Sequence, residues 1–599
     1  MSFRVTLLAN KSNTFGLSKD VAGLSKVLAG KGYRSVQNSD PTGGQKFGTG
    51  SDGQVSEDTC LYEVKHSDPL EVPSYSDVNI HLEVPVYGWI PWATTNILMV
   101  NPEQYVPAWD PYLPKFDLVV VRDPVTRELF RDKKANVEYI PWGCYPSKKS
   151  VLSESKTFQE FLWVLAGSKN KRAFAPILLK AWKPSYPKLT VTTTSAFDLS
   201  GLELPSNITI LNREFSPEER EKFFSSFQGH ICCSRAEGFG YTAAEAELNG
   251  AFTILNSLPC YVSDYGNSSG VAFLPSNITD MYYDEGASTE QLQEALDKAM
   301  VQFMDYNSQG KEARVKESRT RWSTFSTKWL TLIGSYAQTR TEYPPLPPPL
   351  MDSFPEISVV TLIYNRKKFF DLACHSLMIT DYPKDKIEWI VVDDSDDPME
   401  QNSDTIVSVA EKSNSLKIVY VPLKRKTAVS DKRNIGVQKC TNPIVLFMDD
   451  DDHYPESSIR RRVGWLTKHS SCTKAVACTT IACYDLVNGI SSVNVPPLDI
   501  PLGQRISEAT LTFYKSWWQA RGFEPLIKVG EGESIVTGRE TDLLEIPPQQ
   551  IIVAFSHGKN ASSRRVPSGA DVKPGCFWGF PKEFLVFVHG LAGVKVVDG

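Results

Sequence analysis

Short apolar runs separated by polar loops and amphipathic stretches recur along most of the chain. Residues 3–9 form such a run, followed by a polar loop over 10–19 and a helical pattern over 20–30. Strand, loop and helix in that order open an α/β unit, because a strand covered on both faces reads as one continuous apolar run. The same pattern predicts buried strands at 78–82, 96–100 and 116–121, then a second unit opening with a strand at 161–167 and a helix through 177–182. A third alternation predicts strands at 357–363, 388–392, 417–421 and 444–448, with helices near 369–378 and 429–440. Residues 42–54, rich in Gly, Ser and Thr, predict a loop. No closing helix is evident at the end of the chain, and no repeat of 20–50 residues is present.

The proline run at 343–350 interrupts this alternation. Proline lacks a backbone donor and fixes φ, so the run continues neither a helix nor a central strand and predicts an extended spacer. The expected domains are therefore 1–150, 151–340 and 356–599, with 341–355 as linker. Composition adds exclusions. Of the 599 residues, 41% are hydrophobic and 22% charged, which excludes global disorder. Lys and Arg number 64 against 70 Asp and Glu, a net charge of −6, which argues against a nucleic-acid partner. No stretch approaches the ~20 apolar residues of a spanning helix, and the N-terminal run is too short for a signal-peptide core. The 11 cysteines are odd in number and lack zinc-type spacing, including Cys472, Cys478 and Cys483. Buried free thiols, no integral membrane segment and a cytoplasmic location are the expectations.

Chemistry concentrates in two places. The first is 234–250, where Glu237 precedes a Gly238-Phe239-Gly240 turn and Glu245 follows eight positions after Glu237. Glycines let backbone N–H groups approach a ligand, and a helix opening near Thr242 offers its positive end to a diphosphate. Glu245 is then placed for ribose hydroxyls and Glu237 for the sugar. Thr242-x-x-Glu245 also fits a capping box, which makes Glu245 structural instead. The stretch resembles the E-x7-E signature of retaining GT-B glycosyltransferases. A second match is 166–172, similar to that family's glycine-plus-basic loop, with Lys169, Lys171 or Arg172 neutralising the leaving diphosphate. A third is the turn holding Gly16, like the family's glycine turn after the first strand. His81, at a strand end, is read as structural.

The second place follows the linker. Asp449-Asp450-Asp451-Asp452 stand directly after an apolar strand, and adjacent like charges repel unless a hard divalent cation relieves them. Asp393-Asp394 end a neighbouring strand, so two parallel strands present acids at one carboxyl edge. This part resembles the GT-A glycosyltransferases of family 2. The resemblance implies a first-strand turn at Asn365-Arg366, uridine binding by Asp393 and Asp394, and an Arg433-Asn434 segment. It also implies a DxD metal motif at Asp449 and Asp451, with His557 completing the metal site. That family draws its base from a Glu-Asp pair. Here Gly530-Glu531-Gly532-Glu533 stands in its place, leaving Glu531 or Glu533. Trp517 and Trp518 are candidates for stacking on an acceptor sugar or for the core.

The resemblances imply an α/β protein with a GT-B fold of two Rossmann-like units, followed by a GT-A fold built on one mixed sheet. They imply a bifunctional glycosyltransferase using nucleoside-diphosphate sugars and a glycan acceptor, of the kind seen in microbes and large DNA viruses. The first half is expected to be retaining and cofactor-free, and the second inverting with Mn²⁺ or Mg²⁺. The alternative makes the first half a non-catalytic carbohydrate-binding or scaffolding module. A nucleotidyltransferase is disfavoured, because no Gly-rich basic loop follows 357–363.

Overall fold

Strand β1 (Phe3–Leu8) is buried at five of its six positions, and β3 (Ser76–Leu82) at every one, as strands covered by helices on both faces must be. The computed structural model describes residues 2–11, 16–29, 62–69, 71, 73–145, 158–166, 168–193, 203–213, 215–279, 282–343, 347–350, 353–412, 415–469, 473–557, 560, 575–576 and 578–596. The loop expected at 42–54 lies outside them. Two units divide the chain. The first is Met1–Val86, Trp92–Tyr105 and Phe116–Thr341; the second is Tyr87–Pro91, Val106–Lys115 and Glu342–Gly599.

In the first unit, β2 (Tyr62–Ser67), β4 (Ala93–Met99), β5 (Leu118–Val121) and β6 (Val137–Tyr139) join β1 and β3 in one parallel sheet of order β2-β1-β3-β4-β5-β6. A second parallel sheet has the order β12-β11-β10-β7-β8-β9, built from β7 (Phe158–Ala166), β8 (Leu189–Thr193), β9 (Ile208–Asn212), β10 (Phe227–Ile231), β11 (Phe252–Asn256) and β12 (Val271–Leu274). A short ribbon, β13 (Ile278–Thr279) and β14 (Tyr283–Asp284), follows. The 31-residue helix Ser308–Gln338 couples the two sheets. At its start the buried Arg314 bonds Glu247 and Thr253, both at 3.1 Å. Further along, Phe325, Trp329 and Ile333 are fully buried in the core of the first sheet.

The second unit holds a mixed sheet of order β17-β16-β15-β18-β22-β19-β23. Its members are β15 (Ile357–Ile363), β16 (Ile387–Asp393), β17 (Lys417–Pro422), β18 (Ile444–Phe447), β19 (Ala475–Ala477), β22 (Thr512–Tyr514) and β23 (Leu543–Glu545). The first four run parallel, and β22 turns antiparallel to β18. A smaller sheet joins β20 (Ile481–Asp485), β21 (Ile490–Asn494) and β24 (Val553–Ser556). Leu350 is buried in this unit's core, so the proline run ends as packed structure and not wholly as a free spacer. The helix Lys582–Ala592 stands where no closing helix was expected, its Val588 buried among Phe369, Tyr484 and Phe555. The described cysteines are free thiols.

Two positions lend themselves to tests of this packing. A Cβ on Gly436, in the helix Val429–Lys439, would lie 2.5 Å from Val360 Cγ1 on β15. Glycine costs a helix about 1 kcal/mol relative to alanine, so close approach to the strand explains its use. Gly436→Ala is expected to lower stability by about 1–2 kcal/mol net, because the rigid valine cannot yield. A raised melting temperature would refute it. His81 is fully enclosed, its Nδ1 accepting from the Val86 N–H at 3.0 Å and its Nε2 3.2 Å from Asn96 Oδ1. Burial lowers its pKa to about 4. The unfolded chain thus takes up a proton near pH 6.5 that the folded chain refuses until about pH 4, so stability falls with pH across that window. The loss reaches about 3 kcal/mol, and His81→Gln should flatten the slope in acid denaturation curves.

Candidate functional site

Strand order reverses at β15, which pairs with β16 on one side and β18 on the other. Ligands of open α/β sheets bind beyond the carboxyl ends of strands at such a switch point. Here the ends of β15, β16 and β18 carry Asn365 and Arg366, Asp393 and Asp394, and Asp449 to Asp452. Carboxylate oxygens of Asp449, Asp451 and Asp452 all lie within 4.8 Å of one another, a spacing that suits oxygen ligation of Mg²⁺ or Mn²⁺. Burial raises the Asp449 pKa to about 6, and raises that of Asp450 as well. Arg366 offsets part of this charge. Its guanidinium meets Asp451 and stands 2.7 Å from Asp450 Oδ1. His557 Nε2 is 3.1 Å from Asp451 Oδ2, and Asn560 donates to the same oxygen at 3.2 Å. The acidic turn therefore carries the donor set of a divalent-cation site, with Asp452 a ligand candidate not assigned to the metal from the sequence and Arg366 a counter-charge beside it.

The surrounding candidates divide by what holds them. Asn365 sits at φ 48° and bonds Ser395 and Asp396. Buried Asp393 accepts from Ser395, Asn402 and Tyr420, and so shapes the turn from within. Asp394 pairs with Lys432 and accepts from the Thr427 N–H at 2.8 Å. Asn434 is saturated by Phe523 and Trp518. Trp517 is buried and donates to Asp542, which favours its core role. Arg433 bridges the site, its Nε 2.5 Å from Glu531 and its Nη2 3.7 Å from Asp449. Of the two base candidates, Glu531 is thus buried against Arg433, whereas Glu533 is exposed and bonds Gln504 at 2.9 Å. Glu508, absent from the sequence candidates, accepts from the Gly532 N–H at 2.9 Å. Burial and the Glu531 charge raise its pKa to about 7.

In the first unit a cleft of about 810 Å³ is lined by Gly16, Lys171, Glu237, Gly238, Phe239 and Gly240, among others. Lys171 is buried, 3.3 Å from Glu237 and donating to Thr242 at 3.1 Å. Lys169 is exposed, and neither it nor Arg172 lines the cleft, so of the three candidate cations Lys171 faces it, beside Ser168 and Asn170. The capping box does not form. The helix Tyr241–Leu248 is capped by Gly240 at φ 79°, which a side chain rarely adopts, with no side-chain cap bond. Glu245 instead pairs with Lys19 and, at 2.8 Å, with Arg220. These outweigh its burial and hold its pKa near about 2. Glu103, also missed from the sequence, lines the cleft with its pKa pushed up to about 8 by burial.

If the acidic turn holds a cation, Mn²⁺ should raise the melting temperature of the second unit in a concentration-dependent way. Stabilisation of about 2.7 kcal/mol is expected at a hundredfold excess over Kd. Asp451→Asn should abolish the effect in thermal melts, and an equal shift in that variant would remove Asp451 from the site.

Residues 358–496 match the family described as Glycosyl transferase family 2. Poly(ribitol-phosphate) beta-N-acetylglucosaminyltransferase TarS of Staphylococcus aureus is 27% identical over 118 residues, which is 19% of this chain and 20% of that protein. The chain thus spans about a fifth of that relative's length. Among solved structures, S. aureus TarS 1–349 in complex with UDP-GlcNAc is similar at 20% identity, 35% of this chain, 62% of that chain and a TM-score of 0.29. The pneumococcal O-GlcNAc transferase GtfA in complex with UDP and GlcNAc is similar at 13% identity, 44% and 57% coverage and a TM-score of 0.35. The segment that bears both acidic turns is thus the one that matches the family 2 glycosyltransferases, and the match supports a nucleotide-sugar-dependent glycosyltransferase.

Proposed function

We propose that the chain is a bifunctional glycosyltransferase, each unit moving a sugar from a nucleoside-diphosphate sugar to a growing glycan. The carrying observation is the three-carboxylate cluster at the switch point, inside the segment that matches family 2. In the second unit the reaction is an inverting displacement. An acceptor hydroxyl attacks the anomeric carbon, a base takes its proton, and the diphosphate departs. Asp449 and Asp451, with Asp452 and His557 beside them, would hold a divalent cation whose charge offsets that of the departing diphosphate. Asp394 and Asn365 border the nucleotide, with Asp393 bracing the turn beneath them. UDP-GlcNAc is the first donor to test, since the matched relative is an N-acetylglucosaminyltransferase.

The first unit is read as a retaining, metal-independent GT-B transferase. Two parallel sheets and a cleft holding Lys171 and Glu237 support that reading. Lys171 meets the diphosphate and Glu237 the sugar. One chain with two transferases holds the product of one reaction at high effective concentration for the next. Among the described residues no helix is long and apolar enough to cross a membrane, and we place the reaction in the cytoplasm. A second reading, in which the first unit binds sugar without transferring it, is favoured by the prior engagement of Glu245 with Lys19 and Arg220.

A panel of UDP-, GDP- and ADP-sugars, assayed on the full chain with and without Mn²⁺, separates these readings. Asp451→Asn is expected to lower the Mn²⁺-dependent turnover by about 10²-fold or more, removing several kcal/mol of charge stabilisation. Glu237→Ala should remove the metal-independent turnover. If Glu237→Ala changes only affinity for the glycan, the first unit is a binding module. Metal-independent turnover that survives Glu237→Ala and fails in Asp451→Asn would overturn both assignments.

A further inference from the structure

The displacement proposed for the second unit requires a base, and neither carboxylate first considered suits that work. Glu531 is buried, and its carboxylate is already engaged by Arg433 at 2.5 Å. Glu533 is exposed and turned to Gln504. A third carboxylate meets the backbone of the residue between them. Glu508 opens a short turn before β22, and its Oε1 accepts the Gly532 N–H at 2.9 Å. A Cβ on residue 532 would lie 2.8 Å from that oxygen, so the glycine leaves room for the Glu508 carboxylate beside the backbone of 531–533. No cation pairs with Glu508 among the described residues, and the side chain is only partly covered. It stays within the electrostatic reach of Arg433, which in turn meets Asp449 of the acidic turn.

We propose that Glu508 is the general base of the second unit. This rests on the inverting reading given above. Its carboxylate takes the proton of the attacking acceptor hydroxyl as the new O–C1 bond forms. The C1–O bond to the diphosphate breaks, its electron pair leaves on the diphosphate oxygen, and the proton passes from Glu508 to solvent. Gly532 N–H holds one carboxylate oxygen. The charged groups facing Glu508 are Glu531, which raises its proton affinity, and Arg433, which lowers it. Desolvation by the surrounding protein is the largest cause of the rise, so the group accepts a proton near neutral pH, where a base is most effective.

The test uses the full chain carrying Glu237→Ala, so that only the second unit's reaction is read. The probe is UDP-GlcNAc with Mn²⁺, followed by UDP release, with the same panel of UDP-, GDP- and ADP-sugars behind it. Glu508→Gln keeps an acceptor oxygen for the Gly532 N–H and the shape of the side chain, but removes the basicity. It is expected to lower kcat by about 10²–10⁴-fold with the donor KM and the Mn²⁺-induced melting shift within twofold. The acid limb near pH 7 in the parent's rate profile should vanish. Formate should restore part of the turnover of Glu508→Ala, because a small carboxylate can occupy the vacated space. Loss of less than threefold in Glu508→Gln, or an unchanged acid limb, overturns the assignment while leaving the transferase reading intact. If the parent turns over none of the donors, the transferase reading itself fails, and the role of Glu508 with it.

Discussion

Negative charge buried at the end of a parallel strand is the constraint around which the second unit is organised. Four carboxylates follow β18, three of them buried, and removing even one ion from water costs several kcal/mol unless it is paired. Two guanidinium groups supply the compensation. Arg366 enters from the turn after β15, and Arg433 from the helix Val429–Lys439. Arg433 also anchors Glu531, so the acidic turn, that helix and the turn at 530–533 are held by one guanidinium. Lys432, next to Arg433, binds the carboxylate of Asp394 and the carbonyl of Ile363. One helix thus steadies the carboxyl ends of β15, β16 and β18, which is why its close fit against Val360 matters to the site.

The first unit meets a similar problem with different residues. Its cleft gathers Asp20, Glu83, Glu103 and Glu237 along with Lys19, Arg122, Lys171 and Arg220. Arg122 and Asp20 form a buried pair at 2.6 Å, and Tyr241 donates to the same aspartate. Tyr241 follows directly on the turn that carries Glu237, while Asp20 lies on the helix Gly16–Ala29. Side chains from both sheets' helices therefore meet across the cleft. Glu103 stays uncompensated, and burial keeps a proton on it through neutral pH. Glu83, which meets the Asn101 amide and no cation among the described residues, is also raised by burial, as low-dielectric surroundings require.

The strands that carry the site were legible because their signal is local. A strand buried on both faces reads as an unbroken apolar run, and β15, β16 and β18 fell within a residue or so of expectation. The acidic turns were legible for a similar reason, since crowding of like charge is visible in consecutive letters. The helix at Lys582–Ala592 was missed because its apolar residues are spread around it and its partners, Phe369 and Tyr484, lie far upstream. The capping box was a true sequence pattern that geometry refused, since the left-handed Gly240 is the cap and the helix begins two residues before the box requires, leaving Thr242 inside it.

What the sequence by itself determined was the order of elements and the kinds of charge at their ends: acids after β16 and β18, a basic loop after β7, glycines around Glu237. Periodicity and adjacency are properties of neighbouring residues, and they survive in one dimension. Which of those charges are matched, and by what, was decided only in three dimensions. Lys171 faces the cleft while Lys169 faces solvent, two positions apart on one helix, because a 3.6-residue period turns them to different faces. Arg433 reaches Glu531 across 98 residues, and Glu508 reaches Gly532 across 24. Such pairings depend on how strands and turns stack in space, so folding alone distinguishes an acid already neutralised from one left to accept a proton.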